Sequence, residues 1–282
     1  MKRTIITGIL AIGAGVTCLM AQAPAKGAKG AAPAQAAPPA QAAGPKQPAP
    51  KSKGEVEALQ AMQAAMSDPD KEIAAIENLL TKFVDTDYKG IALYMEAEAY
   101  QKKGDLDHMV ICAEHALEFN PGDFQSSLML AKYYSTHTKE TDLDREEKLG
   151  KATKLSNSVI ESMKTAPKPN PQLTDEQWAD ARKDIAAEAY NDIGVAELTR
   201  KKYDAAAAAF KSAVDTNSRP EPAYMVRLAS ALQSGGKNDE AIALCDKVTA
   251  MPDAHPQVKS VAAAIKVQAV KAGGKAPGGE AK

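Results

Sequence analysis

Aromatic side chains are scarce: four Phe, eight Tyr and one Trp among 282 residues, 5% of the chain. A core must then be built mostly from Ala, Leu, Val, Ile and Met, which favours close helix packing over a β-sandwich. Cysteine is scarcer still, with three. Cys18 lies in an N-terminal apolar stretch, and Cys112 and Cys245 stand 133 residues apart, so two free thiols are expected rather than a bridge. G-x-S-x-G, H-E-x-x-H, a Walker loop and C-x-x-C are all missing. Only four His are present, with His137 and His255 on segments remote from His108 and His115. Catalysis is therefore not expected, and no cofactor is implied. Residues 1–53 hold no acid but seven of the 35 bases, which leaves 28 bases against all 36 acids in residues 54–282, about -8. Such a body repels nucleic acid.

What is present begins with an address. Lys2 and Arg3 precede a mostly apolar stretch, Thr4 to Met20, followed by small residues at Ala21 and Ala23, the layout of a secretory signal peptide. Pro24 obstructs cleavage after Ala23, so the expected leader is 1–21. No comparable apolar run recurs, so the exported chain is expected to lack a transmembrane span and to reside in the periplasm. The alternative is a lipoprotein acylated at Cys18, although Gly15-Val16-Thr17 lacks the usual Leu and small residue before such a cysteine. Residues 22–53 contain no aromatic, β-branched or acidic residue and read as a disordered Ala/Pro/Lys linker. Residues 272–282 read as a disordered tail.

Residues 54–271 form the expected folded domain. Helical periodicity predicts helices over 54–66, 70–84, 90–103, 106–119, 124–137, 143–164, 175–201, 205–217, 222–235, 238–251 and 256–271, and no run alternates long enough to argue a strand. Asp68-Pro69 supplies a cap and a first-turn proline, Thr174 and Gln177 read as a capping box, and Pro256 opens the last helix.

Internal repetition decides between a bundle and a solenoid. Aligning the second helix of each pair gives Ala75-x3-Leu79, Met109-x3-Ala113-x2-Ala116, Ala152-x3-Ser156-x2-Val159, Ala206-x3-Phe210-x2-Ala213 and Ala241-x3-Cys245-x2-Val248, with first members 34, 43, 54 and 35 residues apart. Together with Tyr190, Ile193-Gly194 and Tyr203, and with Leu93, Ala97, Tyr100 and Gly104, these positions resemble the tetratricopeptide repeat (TPR) family. Leu228-Ala229, Leu232, Gly236 and Ala241 mark a third copy. The copies at 54–87 and 124–164 are degenerate: Lys82 stands where a small residue belongs and Ser156 where an aromatic does. The resemblance implies an all-α, right-handed solenoid of about five helix-turn-helix pairs plus a C-terminal capping helix. Gly194, Ala97 and Ala229 would admit the second helix of each pair, with Phe210, Tyr100 or Leu232 filling the space nearby. The cap would pack Val258, Val261, Ala262, Ile265 and Ala269 inward, with Lys259, Lys266 and Lys271 off that stripe.

The resemblance further implies that the first helix of each pair lines a concave groove holding an extended peptide or a partner's helix. The stripe one residue beyond Leu93, Ala97 and Tyr100 is Tyr94, Glu98 and Gln101. The same offset gives Leu128, Lys132 and Ser135, then Asn191, Val195 and Leu198, then Val226, Ser230 and Gln233. An unidentified protein or peptide is the expected partner. Two constellations that imitate metal sites are weaker. The ends of His108-x3-Cys112-x2-His115 lie about 10.5 Å apart along a helix, and Asp142-x-Asp144-x-Glu146 lacks the glycine of a calcium loop and sits at a helix start. No metal is expected.

Overall fold

The computed structural model describes residues 48–170 and 172–275. The expected leader 1–21 with Cys18, the linker up to residue 47 and the end of the tail, 276–282, lie outside the described residues. Among the described residues the chain forms eleven helices and no strand: α1 Lys53–Ala65, α2 Pro69–Lys82, α3 Lys89–Lys103, α4 Leu106–Phe119, α5 Phe124–His137, α6 Arg145–Met163, α7 Asp175–Thr199, α8 Tyr203–Thr216, α9 Pro222–Ser234, α10 Asn238–Ala250 and α11 Pro256–Lys271. Local chemistry sets their starts. Ser52, Asp68, Asp105 and Asp123 each accept a hydrogen bond from a first-turn amide, and Thr174 and Gln177 close a reciprocal capping box. Pro69, Pro222 and Pro256 open their helices.

Short segments at both ends are tied to the helices by hydrogen bonds and an ion pair. Tyr88 donates its hydroxyl hydrogen to the Pro48 carbonyl at 3.1 Å, and Lys51 pairs with Asp87 at 2.8 Å. Residues 48–52 therefore lie against the α2–α3 connection, and α1 starts at Lys53 within the stretch read as linker. At the other end Asn238 donates to the Ala272 carbonyl, and the Lys275 amide meets Asp239.

Helices pack in sequence order, α1 on α2, α3 on α4 and so on to α9 on α10, and each pair packs on the next, with α11 closing the row against α10 and α9. Cores of buried side chains repeat along the axis, as a stack of pairs that cannot each cover their own apolar faces requires. The tightest join is in the α7/α8 pair: a Cβ on Gly194 would lie 2.5 Å from the Phe210 ring, and Phe210 is fully buried. Ser156, at the matching position in α6, is also fully buried, and its hydroxyl has no partner.

The turns within three of the pairs, α3/α4, α7/α8 and α9/α10, follow one plan. Asp105, Lys202 and Lys237 each donate their amide to the carbonyl five residues back, and the residue before each is left-handed: Gly104 at φ 77°, Lys201 at φ 61° and Gly236 at φ 80°. Lys201 is the exception in a glycine's place. The long α6–α7 connection is pinned by Trp178, whose indole donates to the Ala166 carbonyl at 2.9 Å, and by Arg182, which reaches the Lys164 carbonyl. On α11, Ala262, Ile265 and Ala269 are buried, but Val261, expected on that stripe, is exposed, as are Val267 and Val270. The packed stripe is centred between Ala262 and Ala269, and Val261 falls about 100° away from Ala262, outside its edge.

Candidate groove on the first-helix face

First helices touch across pairs, α5 on α7 and α9 on α11, whereas no second helix packs comparably on the next second helix. The row of first helices is the face on which the groove is expected. Two groups of polar side chains lie along it.

The first joins α3 to α5. Tyr94 sits between Glu98 on its own helix and Gln125 on α5, with Asp123 nearby. Burial, then the Glu98 charge, raises the Tyr94 hydroxyl above its ordinary range, and burial likewise holds the Glu98 carboxyl up. Gln101 is exposed farther along α3.

The second joins α5, α7 and α9. Lys132 of α5 meets Glu188 of α7 at 3.3 Å, with 58% of the lysine side chain exposed. Arg227 of α9 donates to the Asn191 side-chain oxygen, and the Asn191 amide donates to Asp192 Oδ1 at 3.1 Å. Asp192 is only 1% exposed, and its Oδ2 is buried without a hydrogen-bond partner. Such an atom costs roughly 1–3 kcal/mol. Burial, reinforced by the Glu188 charge, pushes the Asp192 carboxyl up to about 7. Tyr224 of α9, raised mainly by burial and then by Glu188, lies in the same charge field.

The apolar positions of the expected stripe go elsewhere. Val226 is in the core with Ala229, Cys245 and Ile265. Leu198 and Val195 pack against the core around Phe210, and Leu128 packs against Val159 and Met163. Ser135 is buried with its hydroxyl on the Lys132 carbonyl, while Ser230 and Gln233 are half-buried. The reason is geometric: a first helix is clasped by its own partner and by both neighbouring pairs, so an apolar residue beside the core stripe still finds cover. Polar Tyr94, Glu98, Lys132 and Asn191 meet polar neighbours instead.

Sequence reasoning misses Gln125, Glu188, Asp192, Tyr224 and Arg227. A signal exists for two of them: Glu188, Asn191 and Asp192 follow i, i+3, i+4, polar positions on one face of an otherwise alanine-rich helix.

The metal-like constellations disperse. His108 stacks on Tyr100 and meets Asp105 at 2.8 Å, whereas Cys112 turns inward to Glu96. Burial, then Glu96, pushes that thiol up to about 12, and Cys245 is likewise a buried free thiol. Asp142 and Asp144 accept from Lys148, while Glu146 takes Arg145 and Arg200. Beside them a shallow hollow of about 600 Å³ is lined by Lys154, Glu197 and Arg200, and the Arg200 guanidinium is already engaged by Glu146, Glu197 and Thr153.

A family model described as tetratricopeptide repeat matches residues 175–222 and 191–257, and a second of the same description matches 91–123. No curated protein matches the chain. Similar solved structures include a thermophilic TPR protein of Thermus thermophilus, 18% identical, covering 76% of this chain and 99% of its own, with TM-score 0.49. A MamA double mutant (RS-1 ArsTM) is 14% identical, covering 79% of this chain and 96% of its own, with TM-score 0.49. The assembly chaperone of RpL4 (Acl4) is 12% identical, covering 77% and 97%, with TM-score 0.42.

Proposed function

This chain is a tetratricopeptide-repeat protein, and from that premise we propose that it is an exported, non-enzymatic scaffold that binds a segment of a partner protein along the first-helix face. The observation that carries the reading is the row of polar groups from Tyr94 and Glu98 to Lys132, Asn191 and Arg227, drawn from four successive first helices. A preformed row of this kind needs little reorganisation to bind. No helix of the described residues is long and apolar enough to cross a membrane. The leader-like pattern of residues 1–21, Lys2 and Arg3 before an apolar stretch, supports export to the periplasm.

Photo-crosslinking in cells tests the groove. Benzoylphenylalanine at Gln101 or Gln233 should yield discrete adducts, and the same group at Lys211, exposed on α8, should not. Equal adducts from both faces would remove the groove reading. Mass spectrometry of the purified N-terminus tests the compartment: a chain starting at Gln22 supports cleavage after Ala21, and a diacylglyceryl group on Cys18 would make the protein a tethered one instead.

A further inference from the structure

The hollow of about 600 Å³ lies between α6 and the α7–α8 turn and is open to solvent. Its α6 side leaves room: a Cβ on Gly150 would meet nothing within 4 Å. Lys154 of α6 and Lys202, the residue before α8, both line it. Neither ammonium has an ion pair or a hydrogen bond among the described residues. Neighbouring lysines are matched: Lys148 by Asp142 and Asp144, Lys151 by Glu114 and Glu147, and Lys201 by Glu140. The third cation of the lining is Arg200, whose side chain is only 10% exposed. Its Nε donates to Glu146 at 2.9 Å and its Nη1 to Glu197 at 2.6 Å, with Thr153 also in reach, so α6 and α7 together hold the guanidinium in place. Its Nη2 is left without a hydrogen-bond partner among the described residues.

The charge of the lining selects the ligand. Glu146 and Glu197 are matched by Arg145 and Arg200, two acids against two arginines, so that network is neutral. Lys154 and Lys202 remain, two positive charges in one concave place with no counter-charge. We infer that this hollow binds a doubly charged oxyanion, a phosphate group that is free or carried by a small molecule, held by Lys154 and Lys202 with Arg200 Nη2 as the third donor. A single carboxylate would leave one lysine unmatched, a neutral molecule gains little from either ammonium, and a cation meets two charges of its own sign. A tetrahedral oxyanion can offer separate oxygens to donors on both sides of the hollow at once. Because the guanidinium is already fixed, binding has only two lysine side chains to order. The inference goes beyond the groove reading and does not depend on it.

The test is an amide NMR titration of the full chain at about pH 8, where a phosphate group is close to a dianion. Inorganic phosphate, glycerol phosphate, sulfate and acetate are compared, with ionic strength held constant by sodium chloride. The amides of Gly150, Lys154 and Lys202 should shift and saturate with phosphate and sulfate, and acetate should bind about tenfold more weakly. Tighter binding of glycerol phosphate than of inorganic phosphate assigns the site to an ester, and the reverse order to the free ion. Lys154→Gln and Lys202→Gln, both at exposed positions, should each weaken phosphate binding about fivefold, whereas Lys247→Gln on α10 should leave it unchanged. Circular dichroism reports that the variants are folded, and the wild-type anion series is a test by itself. Shifts confined to residues outside the hollow overturn the site, as do acetate binding as tight as phosphate binding and undiminished affinity in both lysine variants.

Discussion

In the α7/α8 pair a glycine faces an aromatic ring, whereas the matching positions of the α5/α6 pair carry Ala131 and Ser156. Gly194 and Phe210 interlock so closely that a single methyl on the glycine would collide with the ring. The α5/α6 pair has no such ring at that place, and its buried serine hydroxyl goes unsatisfied. It is held by other means. Leu130, Tyr134, Leu149 and Ala152 form a core shared with Ala97 and Ala196 of the flanking pairs. The 19-residue α6 and 25-residue α7 run on together beyond the repeat and pack Val159 and Met163 against Ala186 and Ala189, with Trp178 closing the end. A repeat that loses its interlocking ring can thus be retained when its neighbours and added helix length supply the buried surface.

The largest effect is expected where the interlock is broken. Phe210→Ala should cost about 3–5 kcal/mol in urea unfolding. Gly194→Ala should cost about 1–3 kcal/mol by overpacking despite alanine's better helix propensity. Gly194→Ala combined with Phe210→Leu should cost less than the sum, since the two positions share one space. If Gly194→Ala is neutral, the two pairs differ less than the geometry says.

A second contrast concerns pH at the seam where the two pairs meet. The Asp192 carboxyl holds its proton more tightly folded than unfolded, up to about 7 against an ordinary value near 4. Its contribution to stability is therefore intact below about pH 4 and is lost as pH rises through about 7. Asp192→Asn should remove that slope and leave the chain more stable than wild type at about pH 8, measured as the thermal midpoint across a pH series. A wild-type curve with no such decline, or an unchanged slope in the variant, would contradict the burial of this group.

Smaller effects come from the turn and the orphaned hydroxyl. Lys201 occupies a left-handed position that Gly104 and Gly236 fill in the sister pairs, and it forms an exposed ion pair with Glu140 at 2.9 Å. Lys201→Gly should gain roughly 1 kcal/mol from relieved backbone strain, less up to about 1 kcal/mol for the surface pair. Lys201→Ala, which loses the pair and keeps the strain, should gain nothing. Ser156→Ala should be neutral or stabilising by up to about 1 kcal/mol, since it removes a buried donor and acceptor that nothing meets. Appreciable destabilisation by Ser156→Ala in urea unfolding would mean that the hydroxyl has a partner, and the α5/α6 pair would then be better satisfied than it looks.

Much of the architecture is legible in the residues because its causes are local. Asp68-Pro69, Thr174 with Gln177 and Pro256 start helices within a few residues of where they stand. The offset of repeated small and large positions puts Gly194 opposite Phe210 without any knowledge of coordinates. The polar clusters of the first-helix face are only half legible. Tyr94, Glu98 and Lys132 come from a stripe drawn on single helices, but that drawing also swept in Asn191 and Val226, which the structure buries. A stripe on one helix does not say how many neighbours will clasp it.

The amino-acid order by itself determined eleven helices, their caps and their pairing, because capping, periodicity and chain connectivity act over a turn or between adjacent segments. Only the tertiary structure decided that Asp192 would lie buried beside Glu188, Lys132, Asn191 and Arg227, and that Lys201 would be left-handed. Those outcomes depend on three first helices meeting side by side and on a turn shared by successive pairs, and burial and charge at such a meeting belong to no single segment.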